Sequence, residues 1–583
     1  MTNPALPPAT DVLSTKKPDW LARGFGLAFL LGCAVALSPS AVDPDLWGHV
    51  QYGEELLIER TVPETSTHTF TAVGHRWINH ENISELVFAL GYRYLGARGL
   101  LLAKCLLGLG VVGLMIGQAR RRGVSFAVTC GVILLMATSL TAFWPVRPQL
   151  LSYALFALLM AMVCRAFRDW HASHTAEVRW LWLAPPLFVL WANSHGAFAA
   201  GLCIFAAYLG GRSLEAVYHR GRDGWRTALH LNLVLLASGF ATLLNPYGTE
   251  LLAWLVESLK NPRPEITEWA APVPSDPFFS PFVGLAVLAA VAFVATKQRR
   301  DWIHLALITL TLWQAATHLR HIAFFALLCG FWLPEHVESV LGRLRSSDNA
   351  VRDEPVAPWM RRLLLGGLSL TCVLLGCKLY ERLHDFPVKR DTYPVEAIQY
   401  MADHQLHGKL VVAFNWAQYA ISALQPDTQV AFDGRFRTCY PQEVVDMHFD
   451  FLIGKVPGRR YRSDASGPLD PTRVLHFEQP DLVLIDRAFK HSTRVMAAQD
   501  DWVLLYQDSL AQLWGRRERY DEPSSLQYLA ASLRSISDAL QQGSVTWPAL
   551  PVRQTEANPS TESSLTKHPM NAKSLLSERR EQS

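Results

Sequence analysis

Residues 180–211 read WLWLAPPLFVLWANSHGAFAAGLCIFAAYLGG, a run of 32 residues without Asp, Glu, Lys or Arg. At about 1.5 Å rise per residue, one helix of this length would overshoot a hydrocarbon core of about 30 Å. Asn193-Ser194-His195-Gly196 interrupts the run near its middle. The reading is therefore two short helices folded back, with the polar turn at their tip. Charge supports it. A single long helix would place Arg212, Arg220, Arg222 and Arg226 on the face opposite the other basic loops, against the tendency of Lys and Arg to gather on one side of a membrane.

Further apolar runs lie at 24–42, 100–119, 124–143, 150–164, 227–244, 281–295, 302–317, 322–333 and 363–379. Basic residues flank them at alternate ends: Lys16, Lys17 and Arg23, then Arg120 to Arg122, then Arg165 and Arg168. Lys297, Arg299 and Arg300 continue the series, followed by Arg343, Arg345, Arg361 and Arg362. Counting the folded-back pair as two crossings puts all of these on one side. The expected fold class is an α-helical polytopic membrane protein of about 11 spans with a C-terminal extracytoplasmic α/β domain. Its parts are a cytoplasmic segment 1–22, a transmembrane domain 23–380 with a long first outside loop 43–97, an α/β domain 381–517, and a helix plus disordered tail over 518–583. The first run reads as an uncleaved anchor, because its polar leader is long and Asp43-Pro44-Asp45 follows it directly.

Composition agrees. The 583 residues are 50% hydrophobic and 18% charged, with 19 Trp and 27 Phe, against about 25% charged in ordinary globular chains. The mean hydropathy of +0.12 averages an apolar bundle with a polar final third. These values exclude a purely soluble enzyme, a disordered chain and a small disulfide scaffold. A net charge of +3 gives no footprint for nucleic acid. Eight of the nine Cys fall in apolar runs and none form a CxxC pair, so neither a zinc site nor a disulfide framework is expected.

The inside loops are plain anchors, whereas the outside segments gather acids, Arg, His and Asn at one depth. The loop from Asp43 holds Asp45, His49, His80 and Glu81, with amphipathic helices expected over 46–58 and 83–95. Other outside turns supply Arg147 and Gln149, Asn193 and His195, Asn245-Pro246-Tyr247-Gly248, Glu268 with Trp269, and His318, Arg320 and His321. Ionisable groups at membrane depth usually serve a function. His318 and His321 stand three apart, a spacing open to a structural pair or a metal.

In order, the blocks DPDLWGH, WINHENISEL, VRPQLLSY, LWANSHGAFAAG, LLNPYG, EITEW and LRHIAFFAL, then VVAFNWAQYAISAL, VAFDGRF, PDLVLIDR and WVLLYQDSLAQLW, run from about residue 24 to 517. This set resembles bacterial polytopic proteins of the GT-C glycosyltransferase superfamily, which also includes oligosaccharyltransferase catalytic subunits and protein O-mannosyltransferases. The resemblance implies an inner-membrane enzyme of the cell envelope that uses a sugar on polyprenyl phosphate or diphosphate, with acceptor unspecified. It puts Asp43 and Asp45 in the place of the family's acidic motif, here Asp-Pro-Asp rather than the Asp-Glu pair of the mannosyltransferases.

Inverting transfer implies a carboxylate base: Asp43 or Asp45, with Glu81 next. It implies cations on the leaving phosphate: Arg147 and Arg320. His49, His80 and His195 are implied as donors to phosphate or sugar, together with Gln149 and Asn193. Glu268 is implied on sugar hydroxyls and Trp269 as a stacking platform. If a divalent ion takes part, Asp43 and Asp45 would hold Mg²⁺ or Mn²⁺. Two other classes stay open. A transporter or flippase of a lipid-linked glycan would show midplane charges and repeats. A non-catalytic assembly protein would survive loss of the acids.

From 385 to 517 the pattern is α/β. Strands are expected at 409–414, 429–432 and 481–486, a helix at 416–424, and a hairpin of 502–506 with 511–514. Asp433-Gly434-Arg435 ends a strand, where turns and binding residues both occur. A mobile loop is expected over 459–470, a helix over 524–540, and disorder from Gly543.

Overall fold

The computed structural model describes residues 20–347, 357–456 and 458–552. The N-terminal expectation for 1–19 and the tail beyond 552 lie outside the described residues. The first part is helical: α1 (Trp20–Ala36), α2 (Leu46–Glu59), α3 (Asn82–Arg121), α4 (Phe126–Leu140), α5 (Gln149–Ala166) and the single turn α6 (Trp170–Ser173). There follow α7 (Ala184–Ala192), α8 (Phe198–Arg220), α9 (Arg222–Ala241), α10 (Thr249–Lys260), α11 (Ser280–Ala295), α12 (Trp302–Thr317), α13 (Ile322–Ser347) and α14 (Pro358–His384). Among the described residues, six helical stretches are long and apolar enough to cross a membrane, and two shorter apolar ones cover Trp20–Ala36 and Val178–Ala192. The chain breaks between α7 and α8 at Asn193–Ala197, where the folded-back reading placed its turn. Large apolar side chains point outward along α14, including Trp359, Leu363, Leu370 and Leu374. Such a face is stable in lipid and unfavourable in water.

The long first loop is built rather than slack. α3 kinks at Gly96, whose φ of 67° is open to glycine, so 82–95 forms a separate arm before the span. α2 lies against that arm at Gly53: a Cβ there would stand 2.1 Å from the Glu85 carbonyl oxygen and 2.8 Å from Ala89 Cβ. The obstacle is backbone, so it cannot swing away. Gly53→Ala is expected to destabilise the protein by about 1–3 kcal/mol. Thermal unfolding in detergent checks this, with Gly110→Ala, which meets nothing within 4 Å, as the silent control.

The C-terminal part holds β1 (Pro387–Lys389), α15 (Val395–Asp403), β2 (Gly408–Val412), α16 (Ala417–Leu424), β3 (Thr428–Val430), α17 (Gln442–Leu452) and β4 (Leu482–Asp486). It continues with β5 (Trp502–Gln507), β6 (Ala511–Arg516), β7 (Ser535–Ile536) and β8 (Ser544–Thr546). Six strands form one mixed sheet in the order β3-β2-β4-β6-β5-β7, with β2 parallel to both β3 and β4 and the β5–β6 hairpin antiparallel. Leu482 to Ile485 are buried throughout, as continuous apolar strands covered on both faces should be. The free side of β3 is covered by the first loop: Val430 donates its N–H to the His68 carbonyl (2.9 Å) and accepts from Phe70 (3.3 Å). This contact closes an otherwise open edge.

Three expectations are corrected. Residues 524–540 form no α-helix; they hold a 3₁₀ turn at Ala531–Leu533 and β7, which pairs with β5 from Tyr506↔Ser535. Pro523 and a series of Ser side chains that bond to local backbone, as Ser537 does to Ala539 N–H, favour this extended path. Residues 544–546 then pair with β1 instead of fraying after Gly543. The 459–470 loop is pinned as well: Arg460 and Arg462 reach the buried Asp450 at 2.8 and 3.0 Å.

Candidate functional site

α1 ends at Ala36 and α2 begins at Leu46, so Asp43 and Asp45 sit on the short connection between them. Asp43 Oδ1 accepts the Asp45 N–H at 3.0 Å, a local bond that sets the two carboxyls side by side. Arg147, in the turn before α5, enters between them. Its Nε lies 3.3 Å from Asp43 Oδ2, its Nη2 2.9 Å from Asp45 Oδ2, and its Nη1 2.5 Å from Glu268 Oε1. Gln149 steadies Glu268, with Nε2 3.4 Å from both carboxylate oxygens. Three loops far apart in sequence thus place three carboxylates around one guanidinium.

The environment shapes their charge. Burial pushes the Asp43 carboxyl up to about 7; Arg147 pulls against that, while Asp45 and Glu268 add to it. Burial likewise raises Asp45, opposed by Arg147 and His49. For Arg147 burial disfavours the charge, but Asp43, Glu268 and Asp45 outweigh it and hold the guanidinium protonated. Asp43 keeps only 8% of its side-chain surface exposed, whereas Asp45, Arg147 and Glu268 keep 23%, 24% and 28%. The cluster is therefore shielded yet reachable.

A second line of groups adjoins it. Glu81 stands between two imidazoles, 4.0 Å from His49 Nδ1 and 3.8 Å from His195 Nε2. His49 also faces Glu85 at 3.6 Å, and Asn79 donates to Glu85 at 2.7 Å. Burial opposes protonation of His49, but Glu85, Glu81 and Asp45 together raise its pKa. His195 goes the other way: burial, then Arg320, His80, Arg147 and His49, hold it well below the usual histidine value. Its tautomer follows from its neighbours. Ala197 N–H donates to Nδ1, and Ser152, itself taking a bond from Trp191 Nε1 at 2.7 Å, lies 2.9 Å from the same atom. The proton then sits on Nε2, directed at Glu81.

The remaining sequence candidates divide. Arg320 is close enough to depress His195 and stacks on Trp269 at 4.9 Å, with Arg263 on the same ring at 5.1 Å. Among the described residues no carboxylate forms an ion pair with Arg320. His80 joins the cluster's edge, its ring against Trp254 at 5.2 Å and its Nδ1 3.2 Å from the Ile78 carbonyl. Asn193 is spent on architecture: its amide donates to the Val189 and Leu244 carbonyls, both at 2.9 Å. Among the described residues no group of three or more His, Cys, Asp or Glu is arranged to hold a metal ion. Asp43 and Asp45 face a guanidinium, so the donor set does not fit Mg²⁺ or Mn²⁺ with Arg147 in place.

Sequence reasoning missed Glu85, Ser152 and Gln418. Glu85 follows Glu81 by one helical turn, a spacing that puts both on one face. Ser152 shows no signal of its own. Gln418 on α16 accepts from Tyr52 Oη at 2.8 Å and so reaches into the same loop.

No family model and no curated protein matches the sequence. Solved structures do. The crystal structure of ArnT from Cupriavidus metallidurans bound to undecaprenyl phosphate matches with a TM-score of 0.51 and 13% identity, over 88% of this chain and 99% of that one. The apo form of the same protein gives 0.50 and 14%, over 85% and 97%. The chain has the GT-C fold. The apo oligosaccharyltransferase of Archaeoglobus fulgidus also matches, at 0.49 and 11% over 81% of this chain and 70% of that one.

Proposed function

We propose that the chain is a multi-pass inner-membrane glycosyltransferase of about 11 spans, moving a sugar from a polyprenyl phosphate or diphosphate to an acceptor at the outer face. The observation that carries this is the shielded Asp43–Asp45–Arg147–Glu268 cluster on a fold shared with a protein solved in complex with undecaprenyl phosphate. The basic loops orient the N-terminus and the connections opposite the cluster toward the cytoplasm. The sheet then lies outside as an extracytoplasmic α/β domain. The charged groups cluster at helix ends rather than at a midplane, which favours transfer chemistry over transport.

Roles follow from the geometry. Asp43, poised near 7, takes the proton of the acceptor's nucleophile as that atom bonds the anomeric carbon. The carbon–oxygen bond to phosphate breaks on the opposite face, and its electron pair stays on the phosphate oxygen. Arg320, stacked on Trp269 and without a carboxylate partner among the described residues, receives that charge. His195, with its proton on Nε2, and His80 flank the leaving group. Arg147 is saturated by carboxylates and positions them, so the reading that it binds phosphate is set aside. Trp269, already held by two guanidinium groups, steadies Arg320 rather than stacking on sugar. The cation at the acids is Arg147, and the proposed chemistry has no metal step.

The test is a comparison of polyprenyl-linked sugars in a deletion strain, the parent, and the deletion complemented with wild-type or Arg320→Ala protein. A donor pool that accumulates on deletion, is cleared by wild type and persists with Arg320→Ala supports the reading. An unchanged pool on deletion sinks it.

A further inference from the structure

The turn that ends β3, Asp433-Gly434-Arg435, belongs to the sheet yet lies against the acid-bearing loop. Asp433 is fully buried and saturated. Its Oδ1 accepts from the Arg435 N–H (2.9 Å) and from Gln418 Nε2 (3.3 Å), and its Oδ2 from Tyr440 Oη (2.6 Å) and Arg435 Nη2 (2.7 Å). Arg435 in turn reaches across to the first loop. Its guanidinium lies over the rings of Tyr52 (4.9 Å) and Trp77 (4.7 Å) and donates to the Thr67 carbonyl at 2.6 Å. A planar guanidinium stacks on such rings better than an ammonium does. Arg435 thereby ties the turn to the loop, while Asp433 holds Arg435 and takes a bond from Gln418, which itself accepts from Tyr52.

Gly434 itself meets Asp45. A Cβ at this position would stand 2.0 Å from Asp45 Oδ1 and 3.1 Å from its Cγ. The packing is reciprocal, since a Cβ at Gly48 would stand 2.1 Å from Gln418 Oε1. Asp45 occupies the N-cap of α2 but makes no side-chain cap bond. Its Oδ2 goes to Arg147 and its Oδ1 faces the glycine. We infer that the Asp433-Gly434-Arg435 turn is a positioning element that seats Asp45 against Arg147, making the outer sheet part of the acid site. This rests on the proposed function only for its consequence in transfer; the seating itself is a matter of geometry.

The experiment is carbodiimide labelling of carboxyl groups, read residue by residue by mass spectrometry on purified full-length protein in detergent. In Gly434→Ala the new methyl drives Asp45 away from Arg147. Its labelling at neutral pH is expected to rise severalfold, because the carboxyl loses the cation that opposes its protonation, while the exposed Glu257 and Glu478 label as in wild type. Arg435→Lys, which keeps the charge and loses the ring stacking, gives the same rise if Gly434→Ala fails to accumulate. Wild-type labelling of Asp45 in the variants that fold overturns the inference, whatever happens to transfer. A rise in labelling, together with a glycan profile indifferent to Asp43→Asn and Asp45→Asn, leaves the seating intact and removes the glycosyltransferase reading.

Discussion

An Asp43→Asn protein is expected to fold like the parent and to lose sugar transfer by about 10²–10⁴-fold, the range for removing a positioned general base. The amide keeps the shape and still accepts the Asp45 N–H through its oxygen. Removal of the charge does not weaken the fold at neutral pH, as the sign of the shift shows. Burial raises the Asp43 carboxyl to about 7 in the folded protein, above about 3.9 in an unfolded chain. Its contribution to stability is therefore full below the unfolded value and is lost as pH rises through about 7. A neutral Asn is expected to match the parent only near the unfolded value of about 3.9, and to exceed it in thermal unfolding by a margin that grows from there up to about 7 and is then constant. On the proposed function, wild-type transfer is expected to show an acid limb centred near 7 from the same carboxyl. Mass spectrometry of lipid-linked sugars in complemented deletion cells reads the loss. Retained transfer in Asp43→Asn with loss in Asp45→Asn would move the base to Asp45, and retention in both would end the catalytic reading.

Much of the arrangement was legible because it rests on local rules. A run too long for one crossing, broken by Asn193-Ser194-His195-Gly196, gave the turn between α7 and α8. Charges abutting apolar runs pointed to Asp43, Asp45, Arg147, Glu81, His195 and Glu268, and these do converge. What stayed hidden depends on partners distant in the chain. The loop strand at 68–70 closes the edge of β3, and Thr71 bonds Ala431 across 360 positions, with no periodicity to betray either contact. Asn193 looked like a ligand because it is polar at the right depth, yet both its donor bonds go to backbone carbonyls. The resemblance implied Trp269 as a sugar platform; in the structure its ring carries Arg320 and Arg263. Residues 524–540 showed helical spacing of apolar residues, but strand pairing and serine side chains decided the outcome.

Arg147→Gln is expected to be the most damaging single change. The guanidinium faces three carboxylates on two loops, all less than a third exposed. Removing one partner of a buried charge cluster typically destabilises by about 3–5 kcal/mol, because the carboxylates lose the cation they share and repel one another. They respond by binding protons, so the Asp43 carboxyl rises further above its wild-type position. Two results follow, with definite signs. The loss in thermal unfolding temperature is larger at pH 8, where the three groups must carry charge, than at pH 5, where protonation relieves them. Residual transfer has its acid limb displaced to higher pH, since the base now holds its proton more tightly. Arg147→Lys separates charge from geometry: an ammonium restores part of the stability, yet it cannot present three donors in the planar fork that meets Asp43, Asp45 and Glu268 at once. Stability recovered without transfer in the lysine variant would establish Arg147 as the group that orients the acids. A glutamine variant with wild-type stability at both pH values would show that the three carboxylates do not depend on it.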